Sequence, residues 1–235
     1  MGRVFEKRKH KIFARNAKLS KMFTRIGKEI AIAVKIAGPL PQNNLRLKQA
    51  MQNAKGCGMP KDRVEAAIKR SFNKDVKDYE EVLYEAFAPY GVALLIETAT
   101  DNTTRTVANM RMHLNRGNGT LSTSGSVSFL FERKGLFKFP KNNHDLEELE
   151  LELIDFGLIE IMEDDGNVFI YSSFEDFGKM SKALEDKGIE TSSAELVREP
   201  LNVVELTEEQ ETEIHTLIEK IEEDEDVNSV YHNMG

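Results

Sequence analysis

Residues 145–171 read DLEELELELIDFGLIEIMEDDGNVFIY and combine a helical pattern with two β-rich runs. Apolar residues at helical spacing predict a helix over about 145–156, and two β-rich runs, 158–162 and 168–171, flank the turn 164–167. On the two sides of this stretch, the sequence predicts a preceding strand, a following helix and a last strand, over 136–139, 174–187 and 194–197. This strand–helix–strand–strand–helix–strand order is that of a ferredoxin-like βαββαβ domain.

The segments on both sides of that domain predict a second α+β unit. Before it, two β-rich runs flank the hairpin signal Pro89-Tyr90-Gly91, and a helix and a further strand follow. After Pro200, a strand precedes the capping box Thr207–Gln210, which opens a helix that leads to a final strand. Because a strand–helix–strand tail needs a sheet to join, we expect it to return to the middle domain. The predicted strands cover 79–88, 92–100, 127–131, 203–206 and 227–231, and the predicted helices about 103–115 and 207–224.

The first 74 residues predict three helices. The clearest spans about Lys18–Ala37, a second runs over about 44–55 with Asn43 as its cap, and a third opens at Met59 with Pro60 in its first turn. The apolar stripe of the first helix is predicted to comprise Leu19, Met22, Phe23, Ile26, Ile30, Ala33 and Val34. The predicted fold class is therefore α+β with three domains. These are a basic N-terminal three-helix bundle (1–77), a discontinuous middle α+β domain (78–132 with 201–235) and an acidic, inserted ferredoxin-like domain (133–200).

The charge of the chain is divided unevenly between its two parts. Residues 1–74 contain 19 lysines and arginines against four acidic residues, whereas the remainder contains 13 against 36. A surplus of this size in a small bundle repels itself unless an anionic partner is present. The N-terminal domain is therefore predicted to bind nucleic acid, either duplex DNA or ribosomal RNA.

The candidate nucleic-acid-binding residues are the basic side chains of the predicted bundle. Lys21, Arg25, Lys28 and Lys35 fall on one face of the first helix, opposite its apolar stripe, where they could follow a phosphate backbone. Arg111 and Arg116, on or just after the helix of the middle domain, could extend the contact surface. The full set of candidates is Lys7, Arg8, Lys9, Lys11, Arg15, Lys18, Lys21, Arg25, Lys28, Lys35, Arg46, Lys48, Lys61, Arg63, Lys69, Arg70 and Arg105.

Three functions remain open from the sequence. The first is a transcriptional regulator that binds duplex DNA, and the second is a ribosome-associated translation factor whose basic surface binds ribosomal RNA. The third is a protein–protein adaptor whose acidic ferredoxin-like domain holds a partner and whose basic bundle merely docks. The alternative to nucleic-acid binding is that the basic residues form a solvated face or dock on the acidic domains of the same chain. We expect a monomer whose partners include the transcription machinery or the ribosome.

No pattern in the sequence points to catalysis, a metal or a cofactor. The single cysteine, Cys57, cannot form an internal disulfide, and the five histidines lack metal-ligand spacing. Acidic clusters such as 147–152 have the spacing of exposed helix faces. Since no stretch has the length or apolarity of a membrane span or signal peptide, we expect a cytoplasmic protein without membrane association, cofactor or enzymatic activity.

Short motifs along nearly the whole chain resemble one family. They are KMFTR (21–25), NAK (53–55), MPKD (59–62), AIKR (67–70), YEA (84–86), GVA (91–93), TDN (100–102), RTV (105–107), GSV (125–127), FERKG (131–135) and VYHN (230–233). Together they are similar to the YebC/PmpR family, which is described as transcriptional regulators and includes mitochondrial translational activators. The resemblance implies the same three-domain layout and a cytosolic DNA-binding regulator, or a ribosome-associated factor that eases translation of proline runs. The chain departs from it at Gly2–Glu6, where many members carry a Gly-His-Ser-Lys-Trp stretch, and at 44–47, which lacks a proline before the arginine.

Overall fold

The computed structural model describes the backbone of residues 3–71 and 78–235, with side chains from Leu19 onward. The chain forms two compact units, which divide between Val76 and Lys77. The first unit is helical, and the second contains two four-stranded antiparallel sheets with their helices. The predicted α+β class is confirmed.

The helical unit comprises α1 (Arg3–Ala37), α2 (Leu45–Gly56) and α3 (Lys61–Arg70). Its core joins Ile30 and Val34 of α1, Leu47 of α2 and Val64 of α3. The first helix is longer than predicted, and the apolar stripe is only partly buried, since the Met22 side chain is 45% exposed. The core therefore occupies the C-terminal half of α1.

Two helix starts differ by one residue from the prediction. The cap of α2 is Asn44 rather than Asn43, because the Asn44 side chain accepts a hydrogen bond from the Leu47 backbone N–H at 2.9 Å. The same side chain donates to the carbonyls of Ala33 and Gly38, which fixes the connection between α1 and α2. Pro60 stands at the N-cap of α3 and not inside its first turn.

The first sheet of the second unit has the strand order β3-β1-β2-β8. Its strands are β1 (Glu80–Phe87), β2 (Ala93–Thr100), β3 (Thr120–Leu121) and β8 (Val227–His232), and helices α4 (Thr103–Arg116) and α7 (Glu208–Glu222) pack on one face. Side chains alternate along β2, so that Leu94 and Ile96 contact these helices while Ala93 and Leu95 contact Val127 and Phe131 on the other face. Both faces of this sheet are thus covered.

The second sheet has the order β5-β6-β4-β7. Its strands are β4 (Phe131–Pro140), β5 (Leu158–Asp164), β6 (Asn167–Ser173) and β7 (Ser193–Pro200), and its helices are α5 (Leu146–Leu153) and α6 (Phe177–Asp186). The helices cover Phe137, Phe139 and Ile170 on one face of the sheet. This element order and strand arrangement are those of a ferredoxin-like fold. The domain limits within residues 78–235 remain a prediction.

Two predicted strands are wrong. Residues 128–130 form a 3₁₀ turn, and the strand begins only at Phe131, because three backbone N–H groups of the preceding segment bind the Glu85 carboxylate instead of a sheet. The segment 203–206 contributes one isolated bridge, between Val204 and Met234. Val203 is 59% exposed and Val204 is half-buried, so the segment lacks the buried face that would hold a strand in a sheet.

Candidate nucleic-acid interface

Helix α3 presents a cluster of basic side chains to solvent. Lys61, Arg63, Lys69 and Arg70 are all exposed, while Val64 is buried in the core of the helical unit. Among the described residues, none of these four forms an ion pair that would neutralise it. Arg63 and Arg70 are seven positions apart, which places them on the same flank of the helix. We call these four residues the α3 basic cluster.

One member of the cluster is held against α1. The Arg63 guanidinium lies over the Phe23 ring, 5.6 Å from its centroid, in a cation–π contact. This contact orients Arg63 along the surface where α1 and α3 meet. A guanidinium presented in this way keeps donors available for a phosphate group.

The prediction for Lys28 is wrong. Its side chain is 7% exposed, although the helical spacing placed it on the solvent face of α1. The other predicted residues of that face differ in exposure, since Lys21 and Arg25 are half-buried and Lys35 is exposed. The predicted continuous basic stripe along α1 is therefore interrupted at Lys28.

Arg46 of α2 is engaged within the helical unit. Its guanidinium forms a two-point ion pair with Glu29, with N–O distances of 2.6 and 3.0 Å, and both side chains are about one-third exposed. The prediction that Arg46 is available for phosphate is therefore not supported, because its donors already bind a carboxylate. Lys48, on the same helix, is half-buried.

Six predicted contacts lie outside the described side chains. Residues 3–18 belong to α1, but only their backbone is described. These six are Lys7, Arg8, Lys9, Lys11, Arg15 and Lys18. Their roles remain predictions from the sequence.

Arg105 of the second unit stabilises structure. It donates to Asp226 at 2.6 Å and to Asp101 at 2.9 Å, and Asp226 also accepts hydrogen bonds from Thr100 and Thr106. The hydrogen bonds to Asp226 and then to Asp101 raise the pKa of Arg105. Asp226 is 5% exposed, so Arg105 neutralises a buried carboxylate that fastens the segment before β8 to the start of α4. The prediction that Arg105 contacts nucleic acid is therefore not supported, because its donors already bind two carboxylates.

Arg111 and Arg116 differ from Arg105. Both are exposed on α4, and neither forms an ion pair with a described residue. They lie in a part of the acidic unit that contains no aspartate or glutamate between Asn102 and Phe131.

Sequence reasoning missed the carboxylate of Glu85. This side chain is 3% exposed and accepts backbone hydrogen bonds from Gly125, Val127 and Ser128 at 2.7, 2.5 and 3.0 Å. Burial acts to raise its pKa, but the hydrogen bonds from Gly125, Val127 and Ser128 outweigh it, so the pKa lies below its ordinary value. A glutamate on a predicted strand gave no signal of this role, although the glycine- and serine-rich segment that follows Leu121 could have suggested a binding loop.

The described part of the chain contains no group of three or more histidine, cysteine, aspartate or glutamate side chains arranged to hold a metal ion. No helix described here combines the length and apolarity needed to cross a membrane.

Comparison with known proteins identifies the family. The model described as "TACO1/YebC protein N-terminal domain" matches residues 3–74, and "TACO1/YebC second and third domain" matches residues 79–234. A protein of Flavobacterium johnsoniae is 52% identical over 234 residues, covering 100% of this chain and 99% of the relative. One of Myxococcus xanthus is 50% identical over 240 residues, covering 100% of both. Both carry the name "Probable transcriptional regulatory protein".

A solved structure agrees with the sequence comparisons. The crystal structure of a conserved hypothetical protein from Aquifex aeolicus superposes with a TM-score of 0.82 at 33% identity, covering 92% of this chain and 90% of that one. The predicted resemblance is thereby confirmed over both units of the chain. This protein belongs to the TACO1/YebC family.

Proposed function

We propose that this protein regulates gene expression by binding nucleic acid through its N-terminal helical unit. The observation that carries the proposal is the α3 basic cluster, four exposed cations without an ion-pair partner among the described residues. The cluster belongs to a segment, residues 1–74, with 19 basic and four acidic residues. Each phosphate that such side chains neutralise releases bound counterions, which favours association at low salt. The proposed role requires no chemical step by the protein.

The first candidate target is duplex DNA. The two relatives described above are named as probable transcriptional regulatory proteins, and such regulation ordinarily acts on DNA. The second unit carries most of the acidic residues of the chain, so the helical unit is the part that attracts a polyanion. Because the Debye length is about 8 Å at physiological salt, distant carboxylates would not cancel the field of the cluster.

Ribosomal RNA is the second candidate target. Phosphate contacts fix position without reading sequence, so the same cluster would bind an RNA backbone as readily as a DNA backbone. The protein would then act in translation rather than transcription. The two targets predict different partners in a cell extract, namely duplex DNA or ribosomal particles.

The test is to neutralise three residues of the cluster and measure binding over a salt series. The variant Lys61→Gln/Lys69→Gln/Arg70→Gln leaves the Arg63–Phe23 contact in place. If all three side chains reach phosphates, the slope of log K against log salt should fall by about 2.7, since each contributes about 0.9 on B-DNA. The matched control, Lys179→Gln/Lys182→Gln/Lys220→Gln, removes the same charge from the second unit and should leave the slope unchanged.

The unmodified protein and the α3 variant also distinguish duplex DNA from ribosomal RNA as the target. Affinity is measured on duplex DNA by fluorescence anisotropy, and co-sedimentation is measured with ribosomes. Loss of co-sedimentation in the α3 variant, without DNA binding by the unmodified protein, would favour ribosomal RNA. No binding of the unmodified protein to either target at low salt would refute the proposal and favour a protein–protein adaptor.

A further inference from the structure

A surface loop of the second unit is held in place by a buried charge. We call residues 122–130 the Glu85-anchored loop, because the Glu85 carboxylate accepts hydrogen bonds from three of its backbone N–H groups. The Ser122 backbone N–H also donates to the Glu85 carbonyl at 2.7 Å. Hydrogen bonds to an ionised group are about twice as strong as neutral ones. The loop is therefore rigid in spite of its glycine and serine content.

This rigid loop exposes an aromatic ring. Phe129 lies in the 3₁₀ turn Ser128–Leu130, and its side chain is 66% exposed, more than any other described aromatic residue. The residues on both sides of the turn, Val127 and Phe131, are buried in the core beneath the first sheet. The exposure of Phe129 thus belongs to a fixed conformation and does not result from a frayed end.

The Glu85-anchored loop itself contains polar side chains but no acidic ones. From Asn102 to Phe131 the chain contains no aspartate or glutamate, within a unit that is otherwise strongly acidic. Thr123 and Ser124 are exposed hydroxyl side chains of the same loop. The Glu85 carboxylate below the loop is 3% exposed, so the surface formed by residues 122–130 presents hydroxyl groups and no exposed carboxylate.

We propose that Phe129 is a stacking platform for an unpaired base of a nucleic acid. The proposal rests on the function proposed above and deepens it, because it names the bound class as single-stranded or locally unpaired nucleic acid. An exposed ring offers its face to any base, and the neighbouring hydroxyl groups can donate to phosphate or ribose oxygens. In this proposal the Glu85-anchored loop supplies the preference for unpaired nucleotides.

The first experiment uses the full chain and two forms of one probe. A short labelled RNA of mixed sequence is offered single-stranded and annealed to its complement. Phe129→Ala should weaken binding of the single strand by about 5- to 150-fold and leave the duplex nearly unaffected. Phe129→Tyr should bind as the unmodified protein does, whereas Phe129→Leu, which keeps an apolar side chain without a ring face, should not.

A control and a spectroscopic readout separate stacking from a change in fold. Phe156 also lies in a 3₁₀ turn and is 36% exposed, so Phe156→Ala serves as the matched control and should bind normally. The chain contains no tryptophan, so Phe129→Trp introduces a single one. Its fluorescence should be quenched when the single strand binds, and a tryptophan at position 156 should not respond.

The outcomes distinguish this proposal from the one on which it rests. If the unmodified protein binds RNA and the α3 variant does not, the proposed function stands. Unchanged single-strand affinity in Phe129→Ala, or full affinity in Phe129→Leu, would then overturn the stacking proposal alone. If the unmodified protein binds no nucleic acid at low salt, both proposals fail.

Discussion

The replacement Glu85→Gln tests how much the buried carboxylate contributes to the order of its loop. Glu85 uses both oxygens, since one accepts from Gly125 and the other accepts from Val127 and Ser128. Glutamine has nearly the same shape but only one acceptor oxygen, and its amide group is a donor. At best it can serve two of the three N–H groups, and its NH₂ group then faces the third.

The expected loss follows from this geometry. A hydrogen bond to a charged acceptor contributes about 1.5–3 kcal/mol, so losing one and weakening two should cost about 2 kcal/mol locally. That free energy corresponds to a rise of about 30-fold in the population of the open loop. Glu85→Ala, which removes all three bonds and admits water, should cost about twice as much.

The difference should also depend on pH. The folded-state pKa of Glu85 lies below the ordinary value of 4.5, so its stabilising effect is complete at pH values above 4.5. As the pH falls through the lowered folded-state pKa, the carboxylate takes up a proton and comes to resemble glutamine. The difference between the two proteins should therefore be full at neutral pH and should shrink in acid.

Amide hydrogen exchange followed by NMR measures this directly. The N–H groups of Gly125, Val127 and Ser128 should exchange about 30-fold faster in Glu85→Gln than in the unmodified protein at neutral pH. Glu80→Gln, an exposed glutamate on the same strand, should leave their exchange unchanged. Equal exchange in Glu85→Gln and the unmodified protein, or a difference that persists undiminished in acid, would refute the anchoring role.

Two further replacements test contacts elsewhere. Asp226→Asn should destabilise the second unit by about 2 kcal/mol, because Arg105 and two threonines lose a charged acceptor. Asp101→Asn should cost less, since that partner of Arg105 is exposed. Thermal unfolding followed by circular dichroism measures both losses, and equal losses would contradict a structural role for the buried Asp226. Asn44→Ala should destabilise the helical unit by about 2 kcal/mol, because it removes the cap of α2 and two hydrogen bonds to the end of α1. Asn43→Ala should change the stability by less than about 0.5 kcal/mol. If the same assay gave the reverse order, Asn43 would be the cap, as the sequence predicts.

The parts of the fold that follow from periodicity were predictable. The alternation in residues 158–171 and the helical spacing that precedes it gave the ferredoxin-like order, because those segments are organised by burial of one face. The run 127–131 has the same β-rich composition but forms a turn, since its N–H groups bind the distant Glu85. A partner about forty residues away in the chain leaves no local pattern, so such an exception is visible only in three dimensions.

The candidate interface was predictable in its charge but not in its availability. Counting basic residues located the helical unit, and the α3 basic cluster is exposed as expected. Charge counts show neither burial nor pairing. Lys28 is therefore predicted at the contact surface although it is buried, and Arg46 is predicted there although it binds Glu29. The prediction for Arg105 is not supported for a similar reason, because its ion-pair partner Asp226 lies 121 positions away in the chain and cannot be recognised from local sequence.

The pairing of β8 with β2 constrains how the nascent chain reaches its native state. The Asn233 side chain accepts a hydrogen bond from the Ala93 backbone N–H, 140 positions earlier in the chain. The edge of β2 that pairs with β8 therefore stays uncovered until the whole second sheet has been synthesised. Until then the apolar run Ala93–Ile96 lies in an unpaired edge strand, the kind of surface that recruits chaperones or aggregates. The helical unit has no such dependence, because its core is formed by residues within the first unit. It can therefore fold while the ribosome is still translating the second unit.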